Sequence, residues 1–480
     1  MVTRKRKAVD NTSTPQPPQK KLNFTAHSSS QQAVSQQQLD SLVMKYVVTS
    51  LSSLSTVEKQ SFVDLVKALA PNMTVMTRKT MAVRMKQAHT EMAEKLMKEL
   101  QDIKYVCTTA DIWSTNRKSY LGMTVHWISD GNARQSRALA LRRIKGSHTF
   151  DCIAGMICSV HEQFDLDVSK VVSTVTDNAS NFKKAFECYT SCEDSDVDYD
   201  DDESEEHDVM YTDVNNIIIT GETENSNLSI AQLPRHVRCA CHSLNLVATT
   251  DIEPSKVGNQ QYSRMYHVTM GKCQALWNLV SRSSKASDAV SQICSGTSVL
   301  IPCATRWNSM YDAVRRLVEF GDKLAQMLDE LQLPKLNRSE VEFLKEYCKA
   351  MEPLASTLDQ LQGDQNSYFG MLLPKLIQLR SRLNRMVCDG LQFCGPLISA
   401  QLTGISTRFK ALLALDLHNM TDPTVKEAVL AAISHPQYKL KWIPPDRRDE
   451  FNQYFVDSVV RYIRDHYFCL HWLVTSTVAM

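Results

Sequence analysis

The chain has 480 residues, a formal net charge of +1 at pH 7 and 43% hydrophobic residues. Because this length exceeds one ordinary hydrophobic core, two or three structural units are predicted. The near-neutral charge excludes a uniformly basic or acidic protein. Eleven acidic residues lie between positions 193 and 208, however, so the rest of the chain carries +12. That surplus suits a polyanionic partner such as DNA.

The cysteines and apolar stretches predict the compartment. The 14 cysteines show no framework of short regular spacings, and no secretory signal opens the sequence. These features predict a reducing compartment with mostly buried thiols. The apolar stretch at 467–474 is too short to span a bilayer. No membrane partner is therefore predicted.

Residues 1–38 form a predicted disordered basic tail, rich in Pro, Gln and Ser. Its two basic clusters are Arg4, Lys5, Arg6 and Lys7, followed by Lys20 and Lys21. Two basic clusters with a flexible spacer favour a bipartite nuclear-import signal, and hence a nuclear protein, or a loose electrostatic contact with DNA. A solvated tail without a partner is the alternative.

Residues 39–103 are predicted to be a helical amino-terminal region. Ser55 and Glu58 have the spacing of a capping box, which predicts that a helix begins there. A longer helix from about 77 to 100 carries Met81, Met85 and Met92 at helical spacing. Such a stripe favours core packing over a contact with DNA.

Residues 104–187 carry the pattern of a mixed α/β unit. Strand-like runs end at Asp111, cover 120–128 and 138–144, and end again at Asp177. A helical pattern at 150–164 precedes the last of them. The order strand, strand, strand, helix, strand is that of a ribonuclease H-like fold, in which the first and fourth strands are neighbours. We therefore expect Asp111 and Asp177 to meet and to form one metal site.

Asp177 has a second interpretation. Asp, Asn and Ser gather where a strand gives way to a helix, because their side chains compete for backbone hydrogen bonds. Asp177, Asn178 or Ser180 would then cap the helix that begins near Phe182. A second carboxylate at a predicted strand end, Asp111, favours a metal site over a helix cap alone.

The remaining chain divides into three predicted parts. Residues 188–232 form an acidic, disordered insertion, 233–466 a largely helical insertion domain, and 467–480 an atypical carboxyl-terminal end. Near the start of the helical part, Cys239, Cys241 and His242 suggest zinc. A structural zinc site needs four ligands, and no second Cys/His pair lies at fitting spacing, so no structural zinc is predicted.

Five motifs resemble hAT-superfamily transposases, and in particular the transposon-derived, zinc finger BED-type proteins. They are TADIWS at 109–114, SYLGMT at 119–124, TDNASN at 176–181, RCACHSLNL at 238–246 and TRWNSMYD at 305–312. They stand in the family's order within a likeness from about residue 54 to about residue 442. The resemblance implies a ribonuclease H-like core with a mixed sheet, interrupted by a large all-α insertion domain.

The resemblance also implies roles for residues. Asp111 and Asp177 would be catalytic acids that hold Mg²⁺ or Mn²⁺. Cys239 and His242 match a Cys-x-x-His motif near the active site, with a buried-thiol helix start as the alternative. Arg306 and Trp307 match residues near the DNA ends, where the Trp can stack on an unpaired base. A core anchor is the alternative role for Trp307.

Three parts of the family pattern are not matched. No cysteine precedes Cys107, so the amino-terminal zinc finger is missing, and neither the third catalytic acid nor the carboxyl-terminal dimerisation segment is identified. Glu450 is available by its order along the chain, but its neighbours do not match. Homodimerisation is therefore not expected.

Three functions stay open on the sequence. The first is a transposon-derived nuclear protein that binds DNA or chromatin partners, acts in transcription and does not transpose. The second is an active metal-dependent DNA transposase or nuclease that uses Asp111 and Asp177. The third is a truncated product without a function of its own.

Overall fold

A computed structural model describes most of the chain. The described residues are 34–115, 118–131, 133–146, 149–177, 179–189, 232–303, 308–363, 367–417 and 420–477, with side chains as far as 464. They divide into two compact units, Met1–Lys98 and Glu99–Met480. The predicted basic tail, nearly all of the acidic insertion, and Arg306 and Trp307 lie outside the described residues.

The amino-terminal unit is helical, as the sequence predicts. It contains α1 (Gln36–Thr49), a 3₁₀ helix (Leu54–Glu58), α2 (Gln60–Leu69) and most of α3 (Arg78–Gln101). The predicted capping box of Ser55 and Glu58 is wrong. The Glu58 carboxylate instead accepts the Arg78 N–H at 3.1 Å, Ser53 caps the 3₁₀ helix, and α2 begins later. A capping box does form at Ser35, at the start of α1.

The second unit contains a five-stranded mixed sheet. Its strands are β1 (Val106–Thr115), β2 (Lys118–Ile128), β3 (Arg134–Ile144), β4 (Val171–Thr176) and β5 (His236–Arg238). They lie in the order β3-β2-β1-β4-β5. The pairs β1–β2 and β2–β3 are antiparallel, whereas β1–β4 and β4–β5 are parallel. The predicted neighbourhood of the first and fourth strands is confirmed, and the sheet is compatible with a ribonuclease H-like core.

One face of this sheet is packed against helices and is called the covered face below. Here α4 (Phe150–Gln163) and α5 (Ser180–Tyr189) contribute buried apolar side chains. Thr108 lies 3.5 Å from His161 of α4, and Phe186 of α5 stacks on His236 of β5. Strand residues on this face are buried because side chains alternate with period two. They include Leu121, Met123, Val125 and Trp127, none more than 5% exposed.

The other face carries the alternate residues of the same strands and is called the aspartate face, after Asp111 and Asp177. Thr109, Gly122, Thr124 and His126 lie on it and are half-buried. Apolar residues on the covered face thus alternate along each strand with polar and small residues on the aspartate face, where charged side chains are tolerated.

Helices make up nearly all of the second unit beyond residue 240. They are α6 (Ala240–Leu246), a π-helix (Val247–Asp251), α7 (Pro254–Val257), α8 (Gln260–Arg282), α9 (Ser284–Ile293), α10 (Ser309–Glu319), α11 (Asp322–Glu330), α12 (Arg338–Leu361), a 3₁₀ helix (Phe369–Met371), α13 (Leu372–Val387), α14 (Gly395–Arg408), α15 (Lys410–Ala414), α16 (Pro423–Ser434), a 3₁₀ helix (Pro445–Arg447) and α17 (Arg448–Thr477). Buried aromatic residues such as Trp277, Phe343 and Tyr347 share one core.

Two points qualify the sequence analysis of this region. The strand β5, which lies inside the range predicted to be helical, was not expected, because three residues are too few for a period-two signal. That the helices form a separate inserted domain stays a prediction. Among the helices of the described residues, none combines the length and the apolar composition that a bilayer span requires.

Candidate active site at the aspartate edge of the sheet

Asp111 lies within β1 and Asp177 directly follows β4, so the predicted end of the first strand at Asp111 is wrong. The parallel register of β1 and β4 ends with the pair Thr109 and Val175. Asp111 follows Thr109 by two residues within β1, and Asp177 follows Val175 by two residues, directly after β4. Both side chains therefore project from one face, on strands about 4.8 Å apart. Asp111 is exposed and Asp177 is half-buried. The two acids singled out in the sequence thus each follow, by two residues, one member of a register pair between neighbouring strands.

Asp177 also performs the structural role of the alternative interpretation. Its Oδ1 accepts the Ala179 N–H at 3.2 Å, directly before α5 begins at Ser180. A side chain that accepts such a bond satisfies one of the backbone donors left open at a helix start. The Asp177 carboxylate is therefore fixed in orientation directly before α5.

Cys239 joins this edge from the neighbouring strand. Its N–H donates to the Thr176 carbonyl at 2.8 Å, so the residue after β5 lies beside the residue after β4. A hydrogen bond with the Cys241 side chain lowers the pKa of Cys239 to about 7, against burial and the negative charge of Asp177, which raise it. The same contact and burial raise the pKa of Cys241. The thiol that approaches Asp177 is therefore the more acidic of the pair.

The zinc interpretation finds no fourth partner. His242 lies on α6 and is half-buried. Within the part of the chain that the structure describes, no group of three or more His, Cys, Asp or Glu side chains is arranged to hold a metal ion. The carboxylate edge is thus a pair of aspartates flanked by a thiol.

Glu450, the acid considered for the third position, lies elsewhere. Its carboxylate pairs with Arg447 at 3.1 Å, at the start of α17. A second acid, Glu427 of α16, approaches the sheet but pairs with Arg235, and its charge raises the pKa of Cys107 after the larger effect of burial. Cys107 precedes Asp111 by four residues, which is about 13 Å along a strand. Among the described residues, neither glutamate joins the aspartates.

An aromatic pair next to Asp111 was not recognised in the sequence as part of the site. Trp113 is 41% exposed and stacks on Tyr120, with ring centroids 6.2 Å apart. Gly122, which pairs directly with Asp111, leaves room for the indole, because a Cβ there would lie 2.7 Å from it. The signal was present in the spacing: residues 111 and 113 share one face of a strand.

A row of polar side chains crosses the aspartate face. Thr109 and Thr124 are 2.6 Å apart at their hydroxyls, Thr124 lies 2.7 Å from His126, and His126 lies 3.3 Å from Arg134. Arg134 also donates to the Ser367 carbonyl at 2.5 Å. The row therefore connects the strand that carries Asp111 to the helical part of the unit.

Arg306, Trp307 and the basic clusters of the tail lie outside the described residues, so their roles stay predictions. The neighbouring Asn308 is described. Its side-chain amide donates to the Ala355 carbonyl and to Asp359 of α12, at 3.0 and 2.9 Å. The end of the TRWN motif is therefore attached to the helical core.

Comparison with known proteins agrees with this geometry. The family model of the ZBED1 RNase-like domain matches residues 109–191, which include both aspartates. Two proteins of Zea mays, named "Putative AC transposase" and "Putative AC9 transposase", are each 25% identical over 273 residues, or 56% of this chain. The matches cover 30% and 28% of those relatives, so the chain spans less than a third of their length. The chain is therefore similar to hAT-superfamily transposases, and its residues 109–191 match an RNase-like domain.

Proposed function

We propose that this protein is a transposon-derived, DNA-binding nuclear protein that uses its transposase-like core as a docking scaffold and does not transpose. The observation that carries the proposal is the position of Asp111 and Asp177 on neighbouring strands of an RNase-like core. The relatives' names describe transposases, whose substrate is DNA. The net charge of +12 outside residues 193–208 favours the same partner.

The donor set fits a hard divalent cation. Mg²⁺ binds through one or two carboxylates and keeps several waters, and Mn²⁺ accepts the same ligands. Asp111 and Asp177 would supply these carboxylates, while the nearby Cys239 is a softer ligand that Mg²⁺ does not favour. A cation held there would neutralise phosphate charge and acidify a bound water. The chain itself fixes Asp177 through the Ala179 N–H and Asp111 through the strand β1.

The same aspartates favour a second candidate, a metal-dependent DNA nuclease or transposase. Phosphodiester cleavage in such folds uses two metal ions bridged by carboxylates. Asp111 and Asp177 would be the two carboxylates of this site, and Glu450 and Glu427 are paired with arginines. A site with two carboxylates suits one cation, which is why docking is the first proposal.

One experiment separates the two. The full chain and its Asp111→Asn/Asp177→Asn variant are mixed with a labelled DNA duplex in Mn²⁺, and cleavage and binding are followed together across salt concentrations. An Asp446→Asn variant, whose exposed carboxylate lies in the 3₁₀ helix before α17, controls for the loss of a negative charge. Docking predicts salt-dependent binding with no cleavage above that of the double variant.

Each other outcome decides something. Cleavage that the double variant loses and Asp446→Asn keeps would establish the nuclease and overturn the docking proposal. An absence of DNA binding at low salt would overturn both. Nuclear localisation is tested separately, with a fluorescent fusion in which the basic residues at 4–7, 20 and 21 are replaced by Gln; unchanged nuclear accumulation would contradict the import signal.

A further inference from the structure

We propose that Trp113, Tyr120, Lys118 and Arg143 form a binding track for an unpaired DNA strand that leads to Asp111. This inference rests on the proposed function, because it assigns the substrate conformation that the same site would take. It adds an aromatic and basic surface to the site, made of residues that carry no other role in the proposed function.

The strand register places these residues in successive rows. Asp111 pairs with Gly122, and Trp113 with Tyr120. Tyr120 in turn pairs with Arg143 on β3. Positions two apart share a face, so the row of Trp113, Tyr120 and Arg143 lies on the aspartate face, directly beside the row of Asp111. Lys118 is two residues before Tyr120 and follows on the same face.

The aromatic pair offers a stacking surface. Trp113 and Tyr120 are inclined by only 26°, so the rings are stacked. The indole also lies against Gly122, with two ring atoms 2.7 and 2.9 Å from where a Cβ would stand. The position of the ring is thus set on two sides, yet Trp113 is 41% exposed. A fixed, exposed indole is a surface on which a nucleic-acid base can stack.

The basic residues fit the phosphates of the same strand. Lys118 and Arg143 are both exposed on this face. Arg142, the residue next to Arg143, projects from the covered face instead and donates to Ser159 and Gln163 at 2.9 and 2.6 Å. Alternation therefore gives one arginine to the aspartate face and uses its neighbour for packing.

The aromatic component indicates an unpaired strand rather than a duplex. In a duplex the faces of the bases are covered by their neighbours, whereas a single strand can place a base on an aromatic ring. Phosphate contacts alone would suit both forms. Since the track begins next to Asp111, a strand bound on it would bring a phosphate toward the two aspartates.

The test measures binding of the full chain by fluorescence anisotropy, in EDTA so that no metal contributes. The probes are a labelled single strand, an abasic strand of the same length and charge, and the corresponding duplex. Trp113→Ala should weaken binding of the base-bearing strand about tenfold and leave the abasic strand unchanged, because only bases stack. Trp113→Phe keeps an aromatic ring and should retain most of the affinity.

The arginines provide a matched pair. Arg143→Gln should weaken both the base-bearing and the abasic strand several-fold, because its contact is with phosphate, whereas Arg142→Gln removes the same charge from the covered face and should change neither. Urea unfolding of each variant shows that it is folded. Trp113 emission, measured as the difference between the protein and Trp113→Phe, should be quenched by the base-bearing strand only.

Three results would overturn the track. They are equal affinity of the protein and Trp113→Ala for the base-bearing strand, equal losses on the base-bearing and abasic strands, or equal effects of the two arginine substitutions. If DNA binds and Trp113→Ala has no effect, the track fails while the docking function stands. If the full chain binds none of the three probes, the proposed function fails as well.

Discussion

The two faces of the sheet are built from the same strands and differ in what alternate residues do. On β2, Leu121, Met123 and Val125 are at most 1% exposed, whereas the intervening Gly122 and Thr124 are half-buried. The covered face contributes apolar burial, the largest favourable term in folding. The aspartate face contributes exposed carboxylates and a stacked aromatic pair. Along one strand, the residues that stabilise the fold therefore alternate with the residues of the candidate site, and a shift of one residue would exchange the two faces.

Polar residues alone do not distinguish the faces. The covered face contains Thr108 and Thr174, whose hydroxyls are 2.8 Å apart, and Thr176, which lies 2.8 Å from His236. These groups satisfy one another within the protein, as buried polar groups must. The aspartate face differs because Asp111 is a charged group left exposed. The informative feature is thus an exposed carboxylate, rather than polarity.

The largest expected difference between the faces is in stability. Leu121 is fully buried on the covered face, and Leu141, on the neighbouring strand, is 67% exposed. Leu121→Ala should lower the free energy of unfolding by about 2 to 5 kcal/mol, because it removes buried methyl groups and leaves a cavity. Leu141→Ala should change it by less than about 0.5 kcal/mol. Urea unfolding measures both, and similar losses for the two leucines would contradict the assignment of faces.

The next effect is a pH dependence that belongs to the covered face. Burial lowers the pKa of His161 to about 4, and burial with the nearby charge of Arg238 lowers that of His236 to about 4. In the unfolded chain both titrate near 6.5. As the pH falls from about 6.5 to 4, the unfolded state binds protons that the folded state does not, so stability decreases. Each histidine should contribute up to about 3 kcal/mol to that loss.

The measurement is urea unfolding at pH 7, 6 and 5. His161→Gln should flatten the dependence, because glutamine does not titrate and can still hydrogen-bond to Thr108. His89→Gln, which alters an exposed histidine of α3, serves as the control and should leave the slope unchanged. An equal slope in the protein and His161→Gln would show that this imidazole does not carry the effect.

Much of the sheet followed from the sequence, because period-two alternation and β-branched runs are local signals. The neighbourhood of the first and fourth strands came from the ribonuclease H-like order, and the structure shows both strands as neighbours; the meeting of Asp111 with Asp177 stays a prediction. β5 was missed because three residues carry too little pattern. The cap at Ser55 was misassigned because Glu58 is bonded to Arg78, twenty residues away, a contact that no local pattern reports.

The site was predicted in part. Asp177 was found because it directly follows a strand, whereas Asp111 was taken to end β1, although the strand continues to Thr115. Trp113 was overlooked as part of the site because its position depends on the hairpin register, which puts Gly122 under the indole. The lowered pKa of Cys239 likewise depends on a hydrogen bond with the thiol of Cys241, two residues on, which outweighs burial and the charge of Asp177. The position of the indole and the pKa of the thiol depend on strand register and tertiary contacts, which composition does not report.

A smaller effect separates the two roles of Asp177. Asp177→Ala should cost about 1 kcal/mol of unfolding free energy, because it removes the acceptor of the Ala179 N–H before α5. Asp177→Asn keeps an oxygen acceptor and should cost only a few tenths. Both should abolish the stabilisation that Mn²⁺ gives, since a carboxylate is lost. Thermal unfolding with and without Mn²⁺ measures this, and Mn²⁺ stabilisation that survives in Asp177→Asn would exclude Asp177 as a ligand.

A further small change in stability is expected at Gly122. An alanine methyl would meet the end of the Trp113 ring at 2.7 Å and push the indole outward. Because that ring is part of an exposed side chain and alanine suits a strand better than glycine, the net cost should stay below about 1 kcal/mol. Trp113 emission should nevertheless shift, and stacking of a base should weaken. A double-mutant cycle with Trp113→Ala isolates this contact. In the Trp113→Ala background, Gly122→Ala should no longer lower the free energy of unfolding. An unchanged loss would mean that the methyl meets the backbone of the sheet and not the indole.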